Sequence, residues 1–174
     1  MTRSAQLAHA FWRPRPAVPG MRILDPSRTR MRVLLADLDL YRHVNNGIYL
    51  RYMDVARVNY LADMGALGKL SARSWYPVVA ATTMKYRRSL TWLQPFSITT
   101  RVVGWDERIV YMDQVVERDG EHVARCWAAL RFLARPCERV AAPAVIELLG
   151  DGESAPTLPS NVAAWASAID VAAR

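Results

Sequence analysis

Residues 37–65 read DLDLYRHVNNGIYLRYMDVARVNYLADMG, and the first ten positions hold two carboxylates, an imidazole and two amides in a chain that is 52% hydrophobic. The residues after this polar decamer have the opposite character. Apolar or aromatic residues at 49, 52, 53, 56 and 60 recur at helical spacing, and Leu50, Val55, Val58 and Leu61 carry the apolar surface around most of the circumference. Only Arg51, Asp54 and Arg57 leave a polar stripe, with Asp54 and Arg57 spaced i, i+3 for an ion pair. A helix of about five turns that is apolar nearly all round is expected to be wrapped by other structure. Asn45 or Asn46 is the expected N-cap and Gly65 the expected terminator.

Outward from this helix the pattern changes to strands. Upstream, RTRMRVLLAD alternates Met31, Val33 and Leu35 against Arg30 and Arg32. Downstream, PVVAATTMKYRRSL, FSITTRVVGWD, RIVYMDQVVERDG and HVARCWAALRFLAR are long strands, with turns at TWLQP, WDE and RDGE. Their short connections imply an antiparallel meander. In the last strand Ala124, Cys126, Ala128, Leu130 and Phe132 form one row, small enough at its start for a helix to lie close against the sheet. The fold class is therefore α+β, a long central helix wrapped by an antiparallel sheet.

The chain divides into three segments: an irregular N-terminal arm over 1–28, marked by Pro14, Pro16 and Pro19; a domain over 29–135; and an extension over 136–174 with short helices, the last capped by Ser160. A chain of 174 residues fits one domain with a full core. No apolar run reaches the length of a membrane span and the N-terminus lacks a secretory pattern, so the expected location is the cytoplasm. Cys126 and Cys137 are too few for a disulfide framework, and Asp37, Asp39 and His43 lack further ligands to complete a metal site. The net charge of +7 suggests anionic partners, and its scatter favours a phosphorylated small molecule over nucleic acid.

The stretch Asp37, Asp39, His43-Val44-Asn45-Asn46, Tyr49, Asp54 and Ala56-Arg57 resembles the signature of hotdog-fold acyl-CoA thioesterases of the 4-hydroxybenzoyl-CoA thioesterase type. MKYRRSL with PFSITTRVVGWDERIVY is similar to later strands of the same family, including its THEM-type branch. The chain departs from many members at Leu40, Tyr41 and Arg42, where they carry a small residue and Gly.

The resemblance implies hydrolysis of an acyl-CoA or acyl-carrier thioester, with coenzyme A entering only as part of the substrate and no resident cofactor. Asp39 matches the family's catalytic aspartate, as nucleophile or as general base on water, and His43 is the alternative base. The backbone N–H of Asn46, at a helix start, is the expected oxyanion donor. Asp37 is expected to serve a turn or an ion pair. Asn45, Tyr49, Lys85, Arg87 and Arg88 are expected to bind substrate, the three cations near the coenzyme A phosphates. Taken without the resemblance, Asn45 and Asn46 read as helix caps, His43 as a structural histidine and the cations as a solvated strand face. The resemblance also implies a homodimer or higher homo-oligomer, with the site shared at the subunit interface. The rival functions are a non-catalytic acyl or coenzyme A binding module and a hotdog hydratase, against which stand the absence of Gly before either Asp and of Pro after it.

Overall fold

A computed structural model describes residues 2–150 and 152–171. The central element is α2, Asn46–Asp63, whose side chains Tyr49, Tyr52, Met53, Val55, Ala56, Tyr60 and Leu61 are all buried. It starts where Asn45 Oδ1 accepts the N–H of Gly47 at 2.9 Å, and the chain leaves it at Gly65, whose φ of 62° lies in the left-handed region that glycine adopts without a Cβ clash. Helix α3, Ala66–Ala72, comes at once.

Six strands surround the helix: β1 Ser27–Arg32, β2 Trp75–Tyr86, β3 Pro95–Trp105, β4 Val110–Arg118, β5 Glu121–Ala134 and β6 Glu138–Val140. All their pairings are antiparallel, in the order β1-β3-β4-β5-β2, with β6 added on β5. The expected row on β5 faces α2 and is buried throughout, Ala124, Cys126 and Ala128 being fully enclosed. Small side chains there let the helix axis approach the sheet closely.

Four expectations are corrected. The strands do not form one meander: β3, β4 and β5 do, but β2 pairs with β5 from Trp75↔Ala134 to Tyr86↔Ala124, so the segment 87–94 crosses to the far edge. Strand β1 stops at Arg32 rather than running to Leu35, because the chain tightens into a 3-10 turn over Leu35–Asp37 that leaves Leu35 exposed. The N-terminal arm is not irregular throughout. Its residues Arg3–Trp12 form α1, begun by Thr2, whose Oγ1 accepts the N–H of Ala5 at 3.2 Å. The tail helices are α4, Ala142–Leu149, and α5, Ser160–Ala168, and Pro159 rather than Ser160 holds the cap position of α5.

The main core lies between α2 and the concave face of the sheet, closed by α1, α3 and α4. A second, smaller core lies on the opposite face, where Val162 and Ala166 of α5 pack with Val171 on Ile109, Tyr111 and Ala129. Among the described residues no helix is long and apolar enough to cross a membrane.

Candidate functional site at the start of the buried helix

The two aspartates of the decamer have opposite surroundings. Asp37 is buried and accepts hydrogen bonds from Arg3 Nε at 3.0 Å, the N–H of Leu34 at 2.7 Å and the Tyr52 hydroxyl at 2.8 Å, besides its ion pair with the Arg3 guanidinium. Burial alone would raise its carboxyl, but these donors and the charge of Arg3 outweigh it and hold it below the usual aspartate value. Burial and the donation to Asp37 raise the Tyr52 hydroxyl. Asp37 is thus the ion-pair residue expected of it, fastening α1 and α2 to the turn.

Asp39 lies in a tight loop closed by an antiparallel bridge between Leu38 and Val44. Its N–H donates to the His43 carbonyl at 2.8 Å, and its Oδ1 accepts the N–H groups of Tyr41 and His43 at 2.9 and 3.3 Å. Among the described residues its Oδ2 meets no donor. One carboxylate oxygen is therefore fixed by the backbone while the other stays open. The loop tip, Leu40 and Tyr41, stands in solvent, and Arg42 takes a φ of 61°, the conformation that a glycine in the family's pattern would adopt without strain. His43 is exposed, with its backbone atoms engaged in the loop.

Leaving the loop, the chain is bound across to the segment after β2. The N–H of Val44 donates to the Leu90 carbonyl at 2.8 Å, and that of Asn45 to the Asp37 carbonyl at 2.9 Å. The Tyr86 hydroxyl donates to the Asn46 carbonyl at 3.1 Å. These contacts bring the chain at Tyr86 to the end of α2 at which Asn46 begins, with Lys85, Arg87 and Arg88 as its sequence neighbours. Arg88 is partly engaged, with Glu121 at 3.0 Å. Lys85 and Arg87 are exposed.

Asn46 is the first residue of α2, and among the described residues its N–H has no acceptor. Such first-turn amides carry the positive end of the helix, equivalent to roughly half an elementary charge. Asn45 acts through its side chain as the cap. Tyr49 is placed differently from an open binding residue. Its ring is 2% exposed and meets Tyr52 and Tyr86 edge to face at 5.8 and 5.2 Å, and burial pushes its hydroxyl up to about 12. It backs the wall of the site.

Arg57 of the polar stripe is buried. Its guanidinium pairs with Asp54, as the spacing foretold, and donates to Gln114 Oε1 at 2.7 Å. Tyr86, Leu90 and Arg3 were not among the site residues read from the sequence. Tyr86 and Leu90 reach the decamer across 40 and 46 positions and Arg3 across 34, and no local pattern signals such pairings.

Comparison with known proteins gives the same picture. The model of the thioesterase-like superfamily matches residues 33–165. Protein THEM6 of Danio rerio is 43% identical over 91 residues, which cover 51% of this chain and 45% of that protein. The chain thus spans less than half the length of that relative. The long-chain acyl-CoA thioesterase FadM of Escherichia coli (strain K12) is 28% identical over 99 residues, 56% of this chain and 75% of that protein. In fold, the chain is similar to the crystal structure of YbaW, a probable thioesterase from Escherichia coli, with a TM-score of 0.64 at 22% identity over 71% of this chain and 98% of that one. The helix wrapped by a curled antiparallel sheet is the hotdog fold.

Proposed function

This chain belongs to the thioesterase-like superfamily, and from that premise we propose that it hydrolyses an acyl-CoA, or an acyl-carrier thioester, to a free acid and a thiol. The observation that carries the reading is Asp39, with Oδ1 held by two amides and Oδ2 open beside the start of α2.

Acting as a general base, Asp39 takes a proton from water as the water oxygen adds to the acyl carbon. The carbonyl oxygen gains charge and is met by the Asn46 N–H and the positive end of α2. Collapse of the tetrahedral species breaks the carbon–sulfur bond, and the thiolate leaves with the proton that Asp39 held. Acting as a nucleophile, Asp39 would add to the acyl carbon and expel the thiolate, and water would then open the resulting anhydride to the free acid and the Asp39 carboxylate, its proton passing to the thiolate. His43 is the alternative base. Lys85 and Arg87 supply charge for the coenzyme A phosphates, and Arg88 shares its charge with Glu121. Coenzyme A arrives and leaves with substrate, and no resident cofactor enters the steps.

The reading includes a homodimer. Strand β2, Trp75–Tyr86, ends the sheet order, and among the described residues its outer edge pairs with no other strand, so a second copy can continue the ladder there. The cytoplasm, where acyl-CoA is at hand, is the expected place of action.

The test is thiol release from a panel of short, long and aryl acyl-CoAs. Asp39→Asn should lower kcat/KM by two orders of magnitude or more with the fold intact. Turnover indifferent to that change would move the base to His43, and coenzyme A binding without turnover on any substrate would identify a binding module.

A further inference from the structure

An apolar cavity of about 190 Å³ lies along the C-terminal half of α2, some way from the decamer. Its sheet side is Val102, Met112 and Leu130, and its cap is Leu7 of α1, Ile23, and Val145, Ile146 and Leu149 of α4. Leu7 and Ile23 precede the residues that the family model matches, 33–165. Part of this wall is therefore added outside the region the family shares.

The lining specifies what could fill it. Arg57 is satisfied within the protein by Asp54 and Gln114, and the Tyr60 hydroxyl by the Ile23 carbonyl, while Asp54 is half-exposed and offers no donor. The rest of the lining is apolar, so the occupant is hydrocarbon. Size agrees, since a dry apolar cavity of about 150 Å³ is enough to hold benzene.

An exposed stripe of α2 leads from the candidate thioester site toward the cavity. Gly47, Leu50 and Asp54 fall on successive turns of one face of α2. Leu50 is 38% exposed, and the Asp54 side chain, which itself lines the cavity, is 43% exposed. That open stripe runs from Asn46 to Asp54, about 12 Å at the helical rise of about 1.5 Å per residue.

We infer that this chamber receives the far end of a medium or long unbranched acyl chain, and that α1 and α4, by closing it, set chain-length preference. The inference rests on the thioester site proposed above. A short acyl group held at Asn46 does not reach the chamber, whereas a lauroyl group does.

Two substitutions of half-buried cap residues on different elements, Leu7→Trp and Leu149→Trp, fill the chamber. Laurate binding by titration calorimetry and hydrolysis of lauroyl-CoA against butyryl-CoA are measured on the full chain and on each variant. The native chain should prefer lauroyl-CoA, and in each variant the ratio of the two kcat/KM values should fall at least tenfold, with a similar loss of laurate affinity. Ratios and affinity that do not move in either variant overturn the chamber. Laurate binding that is lost in both variants, without cleavage of any thioester, leaves the chamber standing and removes hydrolysis. Cleavage of butyryl-CoA with no preference for lauroyl-CoA and no laurate binding does the reverse.

Discussion

Replacing Asp37 with Asn separates the two aspartates of the decamer by what each holds together. The native carboxylate answers Arg3, whose side chain is only 4% exposed, together with the Leu34 N–H and the Tyr52 hydroxyl. An amide can still accept from one or two of these donors, but it leaves the Arg3 charge buried without a counter-charge. Removing one member of such a pair costs about 3–5 kcal/mol. For a domain of this size each kcal/mol lowers Tm by roughly 2–4 °C, so a fall of about 10 °C is expected. The loss also depends on pH. Because the native carboxyl is held below its ordinary value, the stability it contributes is fully present above about pH 4 and fades as pH falls through the native value. The gap between native and Asp37→Asn chains, followed by urea unfolding with circular dichroism, should be wide at pH 7 and narrow below pH 4. A gap under about 1 kcal/mol at pH 7, or one that widens in acid, would refute the argument that the pair anchors α1.

Single positions give two further outcomes. Arg42→Gly removes an L-residue from the left-handed region, where it costs roughly 1–2 kcal/mol, and after the added chain entropy of glycine the protein should gain up to about 1 kcal/mol in urea unfolding; a loss would mean that the Arg42 side chain holds the loop. Burial pushes the Cys126 thiol up to about 11 while Cys137 is exposed, so a thiol reagent at pH 8 should modify one equivalent at once and the second only on unfolding; two fast equivalents would contradict the packing on β5.

Much of this fold was legible because it derives from periodicity. The apolar face picked out on α2 at 49, 52, 53, 56 and 60 is buried, though Leu50, read as extending it, is exposed, and the small row at 124, 126 and 128 lies under the helix. Capping chemistry was also local, so Asn45 and Gly65 could be read as the ends of the helix. The rest depends on distant partners. Strand β2 alternates whether it pairs with β3 or β5, and nothing in its own residues tells which. Helix α1 is short, and its first residue is held by an aspartate 34 positions away. The candidate site was legible only through the resemblance, which named Asp39 and Asn46, while the contacts of Tyr86 with Asn46 and of Leu90 with Val44 came from the fold.

The helix packed on the back of the sheet narrows the geometries open to assembly. Val162 and Ala166 occupy the convex surface over β4 and β5, and farther along that surface Asp113 is clasped by Arg101 and Arg125 at 3.2 and 2.6 Å. Stacking two sheets back to back would require stripping off α5 and interring three charges, at several kcal/mol for each. Lateral growth from the rim at β2 meets neither obstacle. The homodimer proposed above, joined side by side at β2 into one longer curved sheet, would therefore leave α5 and these charges in place.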